Sequence, residues 1–295
     1  MAINTVKLTL NGQEYNLTLD AQTGKYKATV TAPSVTSWNA ESDHKYHGVV
    51  VATDTAGNST TATVSEFPNL GLRVLEKTAP TITVLYPTAS AYITTATPVI
   101  KWQVKDAGSG IDTSSIQLKI DSGSAITSGI VKTAITGGYE CEYTPSSALD
   151  EGSHTIVFDV DDNDGNSATS TSVTFTVDTV PPVLNVTAPV DGSITNEEVC
   201  VVSGTTNDVT SSPVVLTVNG DEVTVGSDGS FSTEITLEEG ENTITVIATD
   251  TAGKSTTVTR TVTLDTAAPV ITAITLTPNP VDCGATYIIE VTVSD

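Results

Sequence analysis

The densest group of acidic side chains lies in the stretch VFDVDDNDGNSAT, which contains four aspartates, Asp159, Asp161, Asp162 and Asp164. Carboxylates are ligands that Ca²⁺ prefers, and an EF-hand loop places them at positions 1, 3 and 5, with glycine at 6 and glutamate at 12. If Gly165 is position 6, positions 1 and 12 are Val160 and Thr171. The stretch is therefore no EF-hand, and the alternative is a solvated hairpin turn.

A second candidate metal site is the pair His44 and His47, three residues apart. No further ligand follows at a useful spacing, whereas zinc sites need three or four protein ligands. His47 aligns with His154 at the start of an equivalent strand, which indicates a structural position. No Ser-His-Asp arrangement stands out either. The sequence therefore predicts a protein that is not an enzyme and has no cofactor apart from a candidate Ca²⁺ site.

Composition and charge argue against several other classes of function. The 295 residues include 12 Lys and Arg against 35 Asp and Glu, a formal net charge of −23, whereas nucleic-acid binding needs clustered basic residues. No run of 18 apolar residues is present, and the start MAINTVKLTL lacks the features of a signal peptide. We therefore expect neither nucleic acid nor a membrane as a partner. Because the three cysteines lie in different segments, we predict no disulfide and small buried hydrophobic side chains at Cys141, Cys200 and Cys283.

One unit is repeated along the chain. The stretch VVATDTAGNSTTATV near residue 50 returns as VIATDTAGKSTTVTR near residue 246. In each copy an aspartate accepts hydrogen bonds from turn amides and a glycine takes a positive φ, which predicts a hairpin. The junctions EKTAPTITV, DTVPPVLNV and DTAAPVITA follow the hairpins. Their shared prolines, which end ladder pairing, are Pro80, Pro182 and Pro269.

Short alternating strands separated by turns, with no helical periodicity, predict antiparallel β-sandwiches. In VIKWQVKD, for example, the side chains of Ile100, Trp102 and Val104 are expected to face the core. The predicted fold class is all-β, an elongated array of tandem immunoglobulin-like β-sandwiches. The predicted units are residues 1–77, 78–178, 179–265 and a two-strand remnant, 266–295.

The string TPSSALDEGSHTIVFDVDDNDGNSAT, followed by VDTVPPVLNVTAPVDG, resembles the bacterial immunoglobulin-like repeats of surface proteins and phage virions. The resemblance covers nearly the whole chain and implies spacer, adhesion or assembly modules without catalytic residues. Some repeats of this kind bind Ca²⁺ where a turn meets an aspartate between domains. The resemblance implies such a role for Asp162, Asp164 and Asp178.

The two ends of the chain match different parts of the repeat. TVKLTLNG at the start resembles the third strands SIQLKIDSG and VVLTVNGDE, so residues 1–77 lack the first two strands, whereas residues 266–295 supply only those two. Strand addition between copies would complete both. The side chains predicted to enter a neighbouring copy's core, against Val6, Leu8 and Leu10, are Val270, Ile271, Ile274, Leu276, Tyr287, Ile289, Val291 and Val293.

These observations predict a non-enzymatic structural or assembly protein whose copies join head-to-tail. It would be a subunit of an extracellular fibre or of a phage virion, as part of a tail or surface appendage. The alternative is a cell-surface adhesin or S-layer-like protein with immunoglobulin-like spacer modules, and a third hypothesis is an accessory part of a secreted polysaccharide-degrading enzyme. The expected partners are copies of the chain itself and other virion or cell-surface proteins or glycans. The expected location is the virion or the extracellular surface of a cell.

Overall fold

The computed structural model describes residues 2–295, in which the chain forms 24 β-strands and one short 3-10 helix, Pro68–Leu70. The chain divides into two compact units, one ending at Val177 and the other formed by Asp178–Asp295. Among the described residues there is no helix with the length and apolar composition that a membrane crossing requires. The all-β fold class with antiparallel sheets is confirmed.

Residues 2–77 form one sheet, with the strand order β3-β2-β1-β4-β5 and β6 paired with β4. The β1–β2 turn is Asn11-Gly12, where φ is 47° and 73°. A two-residue turn with both φ values positive matches the twist of the strands that it joins. The strands are β1 (Ile3–Leu10), β2 (Gln13–Asp20), β3 (Lys25–Lys27), β4 (Tyr46–Asp54), β5 (Ser59–Ala62) and β6 (Gly71–Leu72).

Residues 78–177 form a sandwich of two four-stranded sheets, β10-β13-β14-β8 and β11-β12-β9-β7. The predicted alternation in β9 is confirmed, because Ile100, Trp102 and Val104 are completely buried, and Trp102 packs against Phe158 with ring centroids 5.1 Å apart. The strands are β7 (Thr81–Tyr86), β8 (Tyr92–Ile93), β9 (Ile100–Lys105), β10 (Gln117–Ile120), β11 (Val131–Ile135), β12 (Gly138–Tyr143), β13 (Gly152–Asp159) and β14 (Thr171–Val177).

Residues 178–265 form a second sandwich, with a three-stranded sheet, β15-β17-β20, and a five-stranded sheet, β16-β22-β21-β18-β19. Its core includes the completely buried side chains of Val202, Leu216 and Ile244. The strands are β15 (Val183–Ala188), β16 (Ser193–Thr195), β17 (Val199–Asn207), β18 (Val215–Val218), β19 (Asp221–Val223), β20 (Ser230–Thr236), β21 (Gly240–Thr249) and β22 (Ser255–Leu264).

The last two strands, β23 (Val270–Thr277) and β24 (Ile288–Ser294), pair only with each other and form a two-stranded antiparallel sheet. Every residue of both strands is exposed. Residues 2–295 therefore form two complete sandwiches, one single sheet in residues 2–77, and one hairpin with no covering layer.

Candidate functional site

Acidic side chains recur at three equivalent positions of the two complete sandwiches. The first position is the acidic residue of the junction before the sandwich. The second directly follows strand β9 in the first sandwich and strand β17 in the second. The third begins the turn of the repeated hairpin. In each sandwich one oxygen of each of the three carboxylates lies within 4.8 Å of an oxygen of the other two. The two groups are Glu76, Asp106 and Asp162, and Asp178, Asp208 and Asp250.

In the first group, the Asp162 carboxylate is saturated by donors from its own turn. Oδ1 accepts hydrogen bonds from the backbone amides of Asp164, at 2.9 Å, and Asn166, at 2.8 Å. Oδ2 accepts a hydrogen bond of 2.6 Å from the side-chain amide of Asn166. Asp162 therefore stabilises the hairpin turn, which is the use that aspartate has in many turns.

The other two acids of the first group also accept hydrogen bonds from backbone amides. Asp106 Oδ2 accepts them from Gly108, at 2.9 Å, and Gly110, at 2.7 Å. Glu76 Oε1 accepts one from the amide of Ser109. The loop that follows β9 thus wraps around these two carboxylates.

Asp164, one of the predicted calcium ligands, is engaged by other groups of the protein. Its side chain is fully buried, and its Oδ1 lies 2.5 Å from a guanidinium nitrogen of Arg73. Oδ2 accepts hydrogen bonds from the Thr36 hydroxyl, at 2.5 Å, and from the Glu76 amide, at 3.0 Å. The Arg73 guanidinium also lies over the Trp38 ring, 4.9 Å from its centroid. Asp164 therefore joins residues 36–76 to the hairpin turn of the next domain, and it does not present a free oxygen to a metal ion.

In the second group, Asp178 and Asp208 are held by the same loop. Asp178 is completely buried, and its Oδ2 accepts a hydrogen bond from the Ser211 hydroxyl. Asp208 Oδ1 accepts hydrogen bonds from the backbone amides of Thr210, at 2.8 Å, and Ser211, at 2.7 Å. Ser211 therefore binds both carboxylates and fixes their separation.

Asp250 differs from every acid of the first group. It is 5% exposed, and its Oδ1 accepts a hydrogen bond of 2.8 Å from the Lys254 amide. Its Oδ2 is buried and accepts no hydrogen bond from any described residue. Within residues 2–295, no ion pair involves Asp178, Asp208 or Asp250. A buried carboxylate oxygen without a partner is costly, because water no longer solvates it.

The predicted ligands Asp162, Asp164 and Asp178 have different partners within their own units. Asp162 belongs to the first group, Asp178 belongs to the second, and Asp164 pairs with Arg73. The acids that the sequence prediction missed are Glu76, Asp106, Asp208 and Asp250. The sequence does contain a signal for two of these acids, because Asp106 and Asp208 each directly follow the second long strand of a repeat.

The side chains of His154 and His47 are each hydrogen-bonded to other residues of the chain. His154 Nδ1 lies 2.9 Å from Asp121 Oδ2, and Nε2 lies 2.8 Å from the Asp150 carbonyl oxygen. Burial lowers the pKa of His154, but the hydrogen bonds to Asp150 and Asp121 outweigh it and raise the pKa above its usual value. His47 pairs with the Asp43 carboxylate at 2.9 Å on the surface.

The three cysteines are free thiols, as predicted. Cys141 and Cys200 are buried, and burial raises the pKa of the Cys141 thiol to about 11. A thiol with so high a pKa is unreactive at neutral pH, since the thiolate is the nucleophile. The prediction of a buried side chain is wrong for Cys283, which is exposed in the loop between β23 and β24.

The hairpin β23–β24 presents an apolar face to solvent. Strand pairing places Ile271 opposite Val293, Ile274 opposite Val291 and Leu276 opposite Ile289. Residues that lie directly opposite share a face of the sheet, so these six form one aliphatic surface. Each of the six is between 42% and 61% exposed.

Two residues of the predicted interface set lie elsewhere on the hairpin. Val270 pairs with Ser294, one position out of phase with the six aliphatic residues, so it lies on the opposite face. Tyr287 precedes β24 and is 50% exposed.

The predicted partner surface in β1 is already partly covered. Val6 and Leu10 are buried within the chain, and only Leu8 is half-buried. The segment that ends in β6 lies over this part of the sheet, because the Leu70 carbonyl oxygen and the Leu8 side chain both come close to Gly48. A partner on this face would therefore gain less from Val6 and Leu10 than the sequence predicted.

Residues 86–179 match the family model described as bacterial Ig-like domain, and residues 137–222 match bacterial Ig-like domain (group 3). Residues 86–222 therefore match bacterial immunoglobulin-like domains in sequence. Residues 182–266, which cover the second complete domain, also match the family model described as glucodextranase, domain B.

A curated relative of this chain is bacillopeptidase F of Bacillus subtilis (strain 168), which is 39% identical over 109 residues. The match covers 37% of this chain and only 7% of that protein. Among solved structures, an I-band fragment of titin is 16% identical, with 89% of this chain and 88% of that chain covered and a TM-score of 0.44. A tetra-tandem repeat from the extending region of a large adhesion protein is 21% identical, with 98% and 79% covered and a TM-score of 0.35.

Proposed function

We propose that this chain is a non-enzymatic structural protein of the extracellular surface, built from bacterial immunoglobulin-like domains. The two acidic groups are the sets of three or more His, Cys, Asp or Glu side chains that the described residues bring within 4.8 Å of one another, and they lie in loops anchored by backbone amides. The buried thiols and His154 serve packing and hydrogen bonding. The observation that carries the proposal is the succession of two domains with packed cores, which is suited to bearing load or spacing other domains.

The finer proposal is that copies of the chain join head-to-tail by strand complementation, in a fibre or a phage virion. In the complete domain 178–265, strands β15 and β17 cover the five-stranded sheet. The hairpin β23–β24 has the same order and pairing and an uncovered aliphatic face. The sheet of residues 2–77 has no second sheet. A hairpin from one copy placed on this sheet of the next would bury both surfaces, a heterologous contact that propagates or closes into a ring.

The variant Val291→Asp tests this contact, because Val291 lies in the middle of the aliphatic face. Burial of an unpaired carboxylate costs several kcal/mol, so the dissociation constant between copies should rise by at least roughly a hundredfold. The matched control is Thr292→Asp, which adds the same charge to the other face of the same strand. Molar mass by light scattering across micromolar concentrations is the measurement.

The proposal requires that the full chain is larger than a monomer, that Val291→Asp is monomeric, and that Thr292→Asp assembles normally. A full chain that stays monomeric rejects head-to-tail complementation while leaving a structural role intact. Equal effects of the two substitutions would show that added charge alone disrupts the assembly, and would also reject the contact.

The second candidate is a spacer module within a larger surface or secreted protein, as in an adhesin or an accessory part of a secreted enzyme. It is favoured by the two matches whose names refer to enzymes, the domain B of glucodextranase and bacillopeptidase F. The chain spans about 7% of the length of bacillopeptidase F, so any activity would reside in other domains. A monomeric full chain in the light-scattering experiment favours this candidate.

A further inference from the structure

A buried histidine in the domain formed by residues 78–177 has a hydrogen-bond acceptor beside each of its ring nitrogens. His154 is 8% exposed, its Nδ1 lies 2.9 Å from Asp121 Oδ2, and its Nε2 lies 2.8 Å from the Asp150 carbonyl oxygen. A carbonyl oxygen and an ionised carboxylate can only accept hydrogen bonds. A neutral imidazole donates from one nitrogen, whereas an imidazolium donates from both. These surroundings therefore satisfy the ring only in its charged form.

The Asp121 carboxylate is ionised in this arrangement. Its Oδ1 accepts a hydrogen bond of 2.9 Å from the Thr155 amide, which leaves Oδ2 for the histidine. Burial raises the pKa of Asp121, but the hydrogen bonds from Thr155 and His154 outweigh it and lower the pKa below its usual value. Each carboxylate oxygen therefore has one donor, and His154 Nδ1 is the donor to Oδ2.

We propose that His154 is a pH-sensitive clamp, which stabilises the domain 78–177 only while its ring is protonated. The ring joins two segments from different parts of the sequence, because Asp121 directly follows β10 and Asp150 lies in the loop before β13. The charged groups that act on the ring are the Asp121 and Asp150 carboxylates, and from β14 the Phe175 ring packs against it with centroids 5.8 Å apart. Loss of the proton would leave a nitrogen lone pair against one of the two acceptors and would break that link.

Alkaline pH is expected to open this clamp. Although burial lowers it, the pKa of His154 lies above its usual value because of the hydrogen bonds to Asp150 and Asp121. The folded domain therefore holds this proton more tightly than the unfolded chain does. Such a stabilisation is complete below the pKa of histidine in the unfolded chain, and it is lost as the pH rises through the raised pKa of the folded state.

The second complete domain has a neutral residue at the same position. The stretches DEGSH and EEGEN place Asn242 where the domain 78–177 has His154. Asn242 Nδ2 donates a hydrogen bond of 2.7 Å to the Glu238 carbonyl oxygen, and Asn242 Oδ1 accepts one of 2.9 Å from the Glu238 amide. An amide side chain has both a donor and an acceptor and no proton to lose near neutral pH. This position therefore gives the domain 178–265 an equivalent link that does not depend on pH.

Differential scanning calorimetry of the full chain between pH 6 and 9 measures the expected loss. The melting transition of the domain 78–177, identified as the one that His154→Asn shifts at pH 6, should move down by about 4–8 °C over this range. This is the shift that loss of one hydrogen bond produces in a domain of about 100 residues. His154→Asn should make the transition nearly independent of pH. The control His47→Asn, at the surface pair with Asp43, should keep the pH dependence; survival of the dependence in His154→Asn, or its loss in His47→Asn, overturns the proposal.

Asp121→Asn provides a second test that keeps the histidine. Asparagine retains an oxygen for the Thr155 amide and offers an NH₂ group to Nδ1, so a neutral His154 would satisfy both of its nitrogens. NMR titration of the His154 ring should give a midpoint above the usual value of about 6.5 in the unsubstituted chain, and a lower midpoint in Asp121→Asn. A midpoint at or below about 6.5 in the unsubstituted chain, or one that Asp121→Asn leaves in place, likewise overturns the proposal.

Discussion

The acidic groups of the two complete domains occupy equivalent positions, yet their carboxylates have different partners. Around Asp162 each carboxylate oxygen accepts hydrogen bonds from amides of its own turn. In Asp250, one carboxylate oxygen accepts a hydrogen bond from the Lys254 amide, and the other accepts none from any described residue. The same loops thus hold a self-sufficient polar cluster in one domain and an incomplete one in the next.

Two residues of the turn differ between the domains. The Asn166 side-chain amide donates to Asp162 Oδ2, whereas the second turn has Lys254 at that position. Asp164 pairs with Arg73, and the second turn has Ala252 in its place. A guanidinium paired with a buried carboxylate stabilises it through charge and directed hydrogen bonds. Acidic residues at matching positions therefore do not have the same partners, because the other residues of the turn differ.

The largest effect is expected for Arg73→Ala, which leaves the buried Asp164 carboxylate without its ion-pair partner. Removing one partner of a buried pair costs about 3–5 kcal/mol, and because Arg73 is 30% exposed we expect about 3 kcal/mol. The loss should appear in the unit that ends at Val177, and denaturant unfolding measures it. Lys77→Ala, an exposed lysine of the same segment with no ion pair among the described residues, is the control.

If Arg73→Ala costs no more than Lys77→Ala, the Thr36 hydroxyl and the Glu76 amide suffice to hold Asp164. The Arg73–Asp164 ion pair would then not contribute to the difference between the two domains.

A smaller effect is expected for Asp162→Asn. Asparagine keeps an acceptor for the amides of Asp164 and Asn166 but places a second NH₂ group against the Asn166 side chain, so the bond to Oδ2 is lost. A lost hydrogen bond to a charged group costs about 1.5–3 kcal/mol. The loss should appear in the unit that ends at Val177 when measured by denaturant unfolding. An unchanged stability would show that the Asn166 hydrogen bond does not distinguish the two acidic groups and would remove the contrast.

Much of the architecture is predictable from the sequence, because hydrophobic alternation and turn residues act locally. The period-two pattern places Ile100, Trp102 and Val104 in the core, and they are completely buried. Aspartate followed three residues later by glycine marks the repeated turn, where Gly165 has φ of 89° and Gly253 has φ of 85°. These signals lie within a few residues of the structure that they specify.

Features that depend on contacts between distant segments are not predictable in this way. The strands β8 and β16, of two and three residues, are too short to show alternation, and each pairs in parallel with a strand far along the chain. The segment around Leu70 covers part of β1, and this is likewise a tertiary contact. The three acids of the second group come from three loops, and the recurrence of Asp106 as Asp208 is the one sequence signal that indicates this group.

The stability of Asp250→Asn, set against that of Asp162→Asn, tests the contrast between the two acidic groups most directly. Denaturant unfolding of the full chain and of the two variants measures the free energy of unfolding. We predict that Asp162→Asn lowers it by about 1.5–3 kcal/mol. Asp250→Asn should leave it unchanged or raise it, because this change removes charge from a buried oxygen that accepts no hydrogen bond from any described residue. Equal losses in the two variants would contradict the account.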